Sequence, residues 1–200
     1  MKKSMNRLFS ILLMIVFSSA AFAEGEKRLT LMESTLIEID GSTNISKFKL
    51  TFRGNDFPQS SYLLPVSMSG NTMSAGRSRL SLEVKKFKSS NPIAQSGFYK
   101  LMKADEFPQM SIEPVSIELY PGYNSTSAKG IAKVKIMITG NTREYSIPFA
   151  YSSENGIQTA TGKLRMTIRD FGLVPPTEMM GMVKTSEWIE IYLKLDFKIQ

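Results

Sequence analysis

The 200-residue sequence contains no cysteine and no histidine, and a single tryptophan. Without thiols there can be no disulfide, no lipid-modified cysteine and no thiolate nucleophile. Without imidazole the usual nucleophile–base pairs and most transition-metal sites cannot be built. The acids that remain are scattered. Asp105-Glu106 is the only adjacent pair, placed just after a helical stretch, and no loop has the dense oxygen spacing of a Ca²⁺ site. The sequence therefore points away from an enzyme and implies no cofactor and no metal. Stability has to come from burial, and the length fits one ordinary domain.

Long apolar runs are also missing, with one exception at the start. Met1–Arg7 carries Lys2, Lys3 and Arg7 and no acid, Leu8–Phe17 is apolar apart from Ser10, and Ala21-Phe22-Ala23 supplies a small-x-small step. That order predicts a secretory signal peptide over residues 1–23, cut after Ala23, and an exported, periplasmic domain over 24–200. The apolar run is shorter than the about 20 residues a membrane span needs. Of the net charge of +7, three positive charges belong to this leader. The rest of the chain is mildly basic, and its cations alternate with apolar residues instead of forming a stripe with aromatics. Nucleic acid is not an expected partner.

What the chain has in abundance is period-two alternation, the mark of half-buried antiparallel strands. Asn44–Arg53 puts Phe48, Leu50 and Phe52 on one face, and Arg79–Lys85 does the same with Leu80, Leu82 and Val84. Lys129–Thr139 offers Ala132, Val134, Ile136 and Ile138, followed in Arg143–Tyr151 by Tyr145, Ile147, Phe149 and Tyr151. Gly162–Arg169 contributes Leu164, Met166 and Ile168. In Glu187–Ile199 the odd positions Ile189, Ile191, Leu193, Leu195, Phe197 and Ile199 face inward, with Trp188, Lys194 and Asp196 among those facing out. Ser34–Ile39 is a short strand. Gln109–Leu119 changes phase at Pro114, which predicts a bulge. Ser61–Met68 reads as an edge strand because of Pro65. Gly140-Asn141-Thr142 reads as a tight hairpin loop.

One segment is helical. Asn91-Pro92 supplies an N-cap and a first-turn proline, Ile93, Ala94, Phe98, Leu101 and Met102 share a face, and Pro108 is the expected stop. About eight strands and one short helix near an opening predict an all-β, antiparallel, lipocalin-like barrel, because closure removes exposed sheet edges.

Three stretches carry a resemblance to a known family. They are Asp40-Gly41-Ser42-Thr43-Asn44-Ile45-Ser46-Lys47-Phe48, the run Gly97–Pro108 (GFYKLMKADEFP), and Asp170-Phe171-Gly172-Leu173-Val174-Pro175-Pro176 with Gly181 and a closing strand from Glu187. With the Gly-Asn-Thr-Arg hairpin they resemble the YceI-like proteins, over roughly Ile37 to Ile199. The resemblance implies an exported lipocalin-like barrel that binds polyisoprenoid or quinone-like lipids in its interior.

The residues that would line a tail site are then the inward ones: Phe48, Leu50, Phe52, Leu82, Val84, Val134, Ile136, Ile138, Tyr145, Ile147, Phe149, Leu164, Met166, Ile168, Ile191, Leu193 and Leu195. Phe98, Leu101 and Met102 of the helix, Phe171, and the loop to Met182 with Met179 and Met180 would form the mouth. Arg77, Arg79, Lys85, Lys86 and Lys88 read as solvated strand charge. Alternation assigns the same inward residues to a hollow tunnel and to a packed core. Two readings therefore stand: a carrier of an isoprenoid-tailed amphiphile with transient membrane contact, and a non-catalytic structural or partner-binding barrel with no lipid.

Overall fold

A computed structural model describes residues 25–75, 78–178, 180 and 182–199. The expected signal peptide with its cleavage point lies outside the described residues, as do Arg77, Met179 and Gly181. The described chain is all-β with one α-helix. In order the elements are β1 (Gly25–Leu31), β2 (Leu36–Ser42), β3 (Lys47–Arg53), β4 (Ser61–Ser69), β5 (Thr72–Ala75), β6 (Leu80–Glu83), α1 (Pro92–Leu101), β7 (Gln109–Leu119), β8 (Ser127–Ile138), β9 (Asn141–Glu154), β10 (Ile157–Thr167), β11 (Thr177–Glu178), β12 (Val183–Lys184) and β13 (Trp188–Ile199).

Every pairing is antiparallel. The main sheet has eleven strands in the order β1-β4-β5-β7-β8-β9-β10-β13-β2-β3, with β6 also on β7, and β11 and β12 form a separate two-stranded ribbon. The expected barrel of about eight strands is therefore corrected: the strands are more numerous, and the sheet is not closed along its height. At one end, called here the far end, β1 lies along β4 through Gly25–Thr30 and meets the last three residues of β13, Phe197–Ile199, through Leu29–Leu31. At Asp196 the chain of β13 changes neighbour. The Thr35 hydroxyl donates to the Asp196 carbonyl at 2.8 Å and accepts from its amide at 3.1 Å, so no backbone group is orphaned at the switch. From Lys194 back to Glu190, β13 pairs with β2 instead. In that other half β3 and β6 are not paired; among the described residues this gap is crossed by the bridge from Thr51 of β3 to Lys88 in the segment after β6, and α1 lies against the cavity there.

The alternation survives in the burial. Along β8, Ala128, Gly130, Val134, Ile136 and Ile138 are buried while Lys129, Lys133 and Lys135 are exposed. Pro114 sits at a register shift in β7, as expected. Other expectations change. Leu80–Glu83 gives way to a 3-10 turn at Val84–Lys86, and β10 yields to another at Ile168–Phe171. β4 is paired on both sides; Pro65 is tolerated because β5 joins only from Val66 onward. The β8–β9 hairpin turns on Thr139-Gly140, both at positive φ (47° and 78°), and Asn141 is already in the ladder opposite Ile138. The helix starts as expected, with the Asn91 side chain accepting from the amides of Ile93 and Ala94. It ends at Leu101, well before Pro108, because Lys103 adopts the left-handed conformation at φ 47°.

The two halves of the fold are filled differently. In the far half Leu31, Tyr62 and Phe197 are buried side by side with Phe52 and Phe57, whose rings meet edge to face at 5.0 Å. Phe52 also touches Phe87 at 5.0 Å, and Phe87 touches Phe98 of α1 at 5.5 Å. This aromatic chain connects the filled half to the helix that covers the gap.

Candidate functional site

The half of the sheet that holds β2, β3 and β6 is hollow. Its cavity has a volume of about 260 Å³. Ile37 and Ile39 of β2, Phe48 and Leu50 of β3, and Leu82 of β6 form one wall. Met110, Ile112, Ile136, Ile138 and Ile147 form the next, and Leu164, Ile168, Phe171, Ile189, Ile191 and Leu193 complete it. Gly97, Phe98, Leu101 and Met102 of α1 lie against the same space. Polar groups occur only towards the opening, at Thr43, Ser46, Asn91, Thr185 and Ser186.

Of the expected tail contacts, Phe48, Leu50, Leu82, Phe98, Leu101, Met102, Ile136, Ile138, Ile147, Leu164, Ile168, Phe171, Ile191 and Leu193 share this cavity. Phe52, Val84, Val134 and Met166 are buried in the core without lining it, and Tyr145, Phe149 and Leu195 are half-buried away from it. Alternation says which face a residue is on, and not whether the space in front of it is filled. Phe52 and Leu195 lie beyond the lining residues Leu50 and Leu193, towards the end where β1 pairs with β4 and β13, whereas Met166 is buried between the lining residues Leu164 and Ile168. Ile37, Ile39, Met110 and Ile112 belong to the cavity although they were not expected there; they fall on the inward phase of strands that alternation did mark.

Each stretch that carries the family resemblance has a structural task at the mouth. Asn44 donates its amide to the Met182 carbonyl at 2.9 Å and accepts from the Lys184 amide at 2.9 Å, tying the β11–β12 ribbon to the Thr43–Ser46 turn. Gly41 lies opposite Phe48, and a Cβ there would come within 2.4 Å of the ring, so the absent side chain leaves space for Phe48 at the cavity wall. In α1 the Tyr99 hydroxyl donates to the Phe87 carbonyl at 2.7 Å and lies 2.9 Å from that of Lys85, fastening the helix over the gap. The hairpin residue Asn141 donates to the Phe171 carbonyl at 3.0 Å, and the Tyr145 hydroxyl donates to Asp170 at 2.8 Å. Burial, and then the neighbouring Asp170 carboxylate, push the Tyr145 phenol well above its ordinary range, so it stays a neutral donor. These bonds hold the 3-10 turn whose Ile168 and Phe171 form part of the wall.

The charges are elsewhere. Arg79 pairs with Glu113 and Lys85 with Asp105, while the Lys88 ammonium donates to the Lys85 carbonyl; Lys86 is exposed. None lines the cavity. Among the described residues, no group of three or more His, Cys, Asp or Glu is placed to hold a metal ion.

An apolar cavity inside a curled antiparallel sheet, opening beside one helix, defines a lipocalin-like binding fold. The YceI-like domain model matches residues 27–197, and the chain belongs to that family. None of the curated proteins matches it in sequence. The chain is similar in fold to BcnA of Burkholderia cenocepacia, with 13% identity over 81% of this chain and 95% of that one and a TM-score of 0.58. It is similar, at 7% identity over 87% and 98% and a TM-score of 0.58, to a polyisoprenoid binding domain from Saccharophagus degradans implicated in plant cell wall breakdown. It also resembles the YceI protein of Campylobacter jejuni, at 11% identity over 70% and 81% and a TM-score of 0.50.

Proposed function

We propose that the chain is an exported, periplasmic, non-catalytic protein that takes the end of an isoprenoid-tailed amphiphile, a polyisoprenoid or a quinone-like lipid, into the hollow half of its sheet. The observation that carries this reading is the cavity of about 260 Å³, apolar throughout its depth and polar only at the rim. Family membership and the fold it shares with a polyisoprenoid binding domain support the same reading.

Size limits what enters. At about 30 Å³ for each small group, the volume of a water molecule in the liquid, the space takes roughly nine carbons, just under two isoprene units. Burying them contributes about 0.8 kcal/mol each, near 7 kcal/mol in all. Association costs an estimated 4–15 kcal/mol, so the cavity by itself holds a free lipid weakly. The filled far half stops a tail from passing through, and the head group and remaining tail stay at the mouth. The test is native mass spectrometry and organic extraction of protein purified from its own host. A bound prenyl lipid is expected, and protein that never yields one, at any loading, refutes the proposal in favour of a partner-binding domain.

A further inference from the structure

Nine large apolar residues are exposed among the described residues, and they fall into two groups. Leu63, Tyr120, Trp188 and Ile199 are 45 to 48% exposed and scattered over strands and loops. Ile45, Ile93, Val174, Met180 and Met182 are 66 to 105% exposed. All five of the second group belong to the segments that frame the cavity opening. Ile45 and Ile93 line it themselves, Val174 lies between the lining residues Leu173 and Pro176, Met182 adjoins the lining residue Val183, and Met180 is on the same β11–β12 loop. Because Asn44 clamps that loop to the turn carrying Ile45, the side chains are presented together on one rim.

The rim is poor in charge. Residues 43–47, 90–97 and 173–186 contain two cations, Lys47 and Lys184, both exposed, and one acid, Glu178. Elsewhere opposite charges are paired along the strands, as at Lys49 with Glu38 and Lys163 with Glu190. An apolar collar with a small excess of positive charge, continuous with an apolar cavity, is complementary to a bilayer surface bearing anionic headgroups.

We infer that this collar is a membrane-docking surface, by which the cavity mouth is set on an anionic bilayer and a tail passes between bilayer and cavity without crossing water. The inference rests on the tail-binding reading for its purpose, but it can fail separately. The test uses sedimentation with vesicles of three parts phosphatidylcholine to one part phosphatidylglycerol, alongside binding of farnesol, a short isoprenoid alcohol soluble enough to reach the cavity without a membrane. Wild-type protein should sediment with the vesicles, and less so in high salt. Val174→Glu with Met182→Glu, at two positions outside the cavity lining, should weaken vesicle binding at least tenfold and leave farnesol binding unchanged. Leu63→Glu, in the far half, should change neither. Wild-type protein that ignores the vesicles but binds farnesol would overturn the docking surface and leave the cavity reading intact. Vesicle binding that depends on the collar, with no farnesol bound, would support docking and count against the tail site. A wild type that dimerises through Val174 and Met182 in the absence of lipid, seen by sedimentation velocity, would also overturn the inference.

Discussion

Two residues on the same face of β8 separate a hollow half from a filled one. Ile136 lines the cavity and Val134 does not, although they are two positions apart and similarly buried, at 4% and 6% exposure. Ile136→Phe adds three heavy atoms, at most about 90 Å³ at one water volume each, well within the 260 Å³ available. The new carbons fill empty apolar space and contribute up to about 2 kcal/mol at 0.8 kcal/mol apiece. The variant is expected to be at least as stable as wild type. Val134→Phe adds four heavy atoms at a buried position that does not line the cavity and should cost about 1–3 kcal/mol. Binding should move the other way. Ile136→Phe removes room for about three of the roughly nine carbons the cavity takes, which weakens a tail by about 2 kcal/mol, or about thirtyfold. Urea unfolding reads the first effect as opposite shifts of midpoint at unchanged slope, and farnesol titration reads the second. Equal destabilisation by both substitutions would mean that the cavity collapses in solution, and the reasoning from its volume would be refuted.

Three further outcomes follow from particular residues. Burial works to raise the Asp196 carboxyl, but bonds from Ser34, Lys194 and Thr159 outweigh it and hold the group below its ordinary value of 3.8. Its contribution is therefore complete above that value and is lost as pH falls through the lower folded value; Asp196→Asn should cost about 1–3 kcal/mol near neutral pH and flatten the acid limb of a stability–pH curve. A Cβ on Gly130 would stand 2.0 Å from the Glu118 carbonyl oxygen across the β7–β8 ladder, so Gly130→Ala should lower the thermal midpoint by several degrees, and an unchanged midpoint would contradict the register. If the leader acts as proposed, N-terminal sequencing of the exported protein begins Glu24-Gly25-Glu26-Lys27, and an intact leader would refute export by cleavage.

Much of this architecture was legible in the sequence because alternation reports one thing well: which side of a sheet a residue occupies. It marked the walls of β3, β8, β9, β10 and β13 and the helix that covers the gap. It could not mark β1, where Glu26, Lys27 and Arg28 carry too little apolar signal, nor the four-residue β5. β1 pairs with β4 and with the end of β13 in the far half, so without it a half-filled sheet reads as uniform along its height, and Phe52, Val134, Phe149 and Leu195 fall into the expected site. The outward assignment of Lys194 and Asp196 held for side but not for environment. Asp196 is buried on the outer face under the Met32–Thr35 corner and pairs with Lys194 at 2.9 Å, a contact between chain segments that no local pattern encodes.

The same corner has a consequence for how the protein comes into being. On one flank Leu29 to Leu31 reach their ladder partners at residues 197 to 199, and on one flank Leu36 to Asp40 reach theirs at residues 190 to 194. A chain emerging amino end first, from a ribosome or through a translocation pore, makes these early strands long before their second neighbours exist. Until β13 appears, β1 and β2 each lack one flank, and the apolar side chains of both halves stand open to water. Acquisition of structure thus waits on β13, making it slow and dependent on contacts distant in the chain. Removal of β13 should trap a long-lived, chaperone-dependent nascent chain, whereas deletions in the short β5 strand should not.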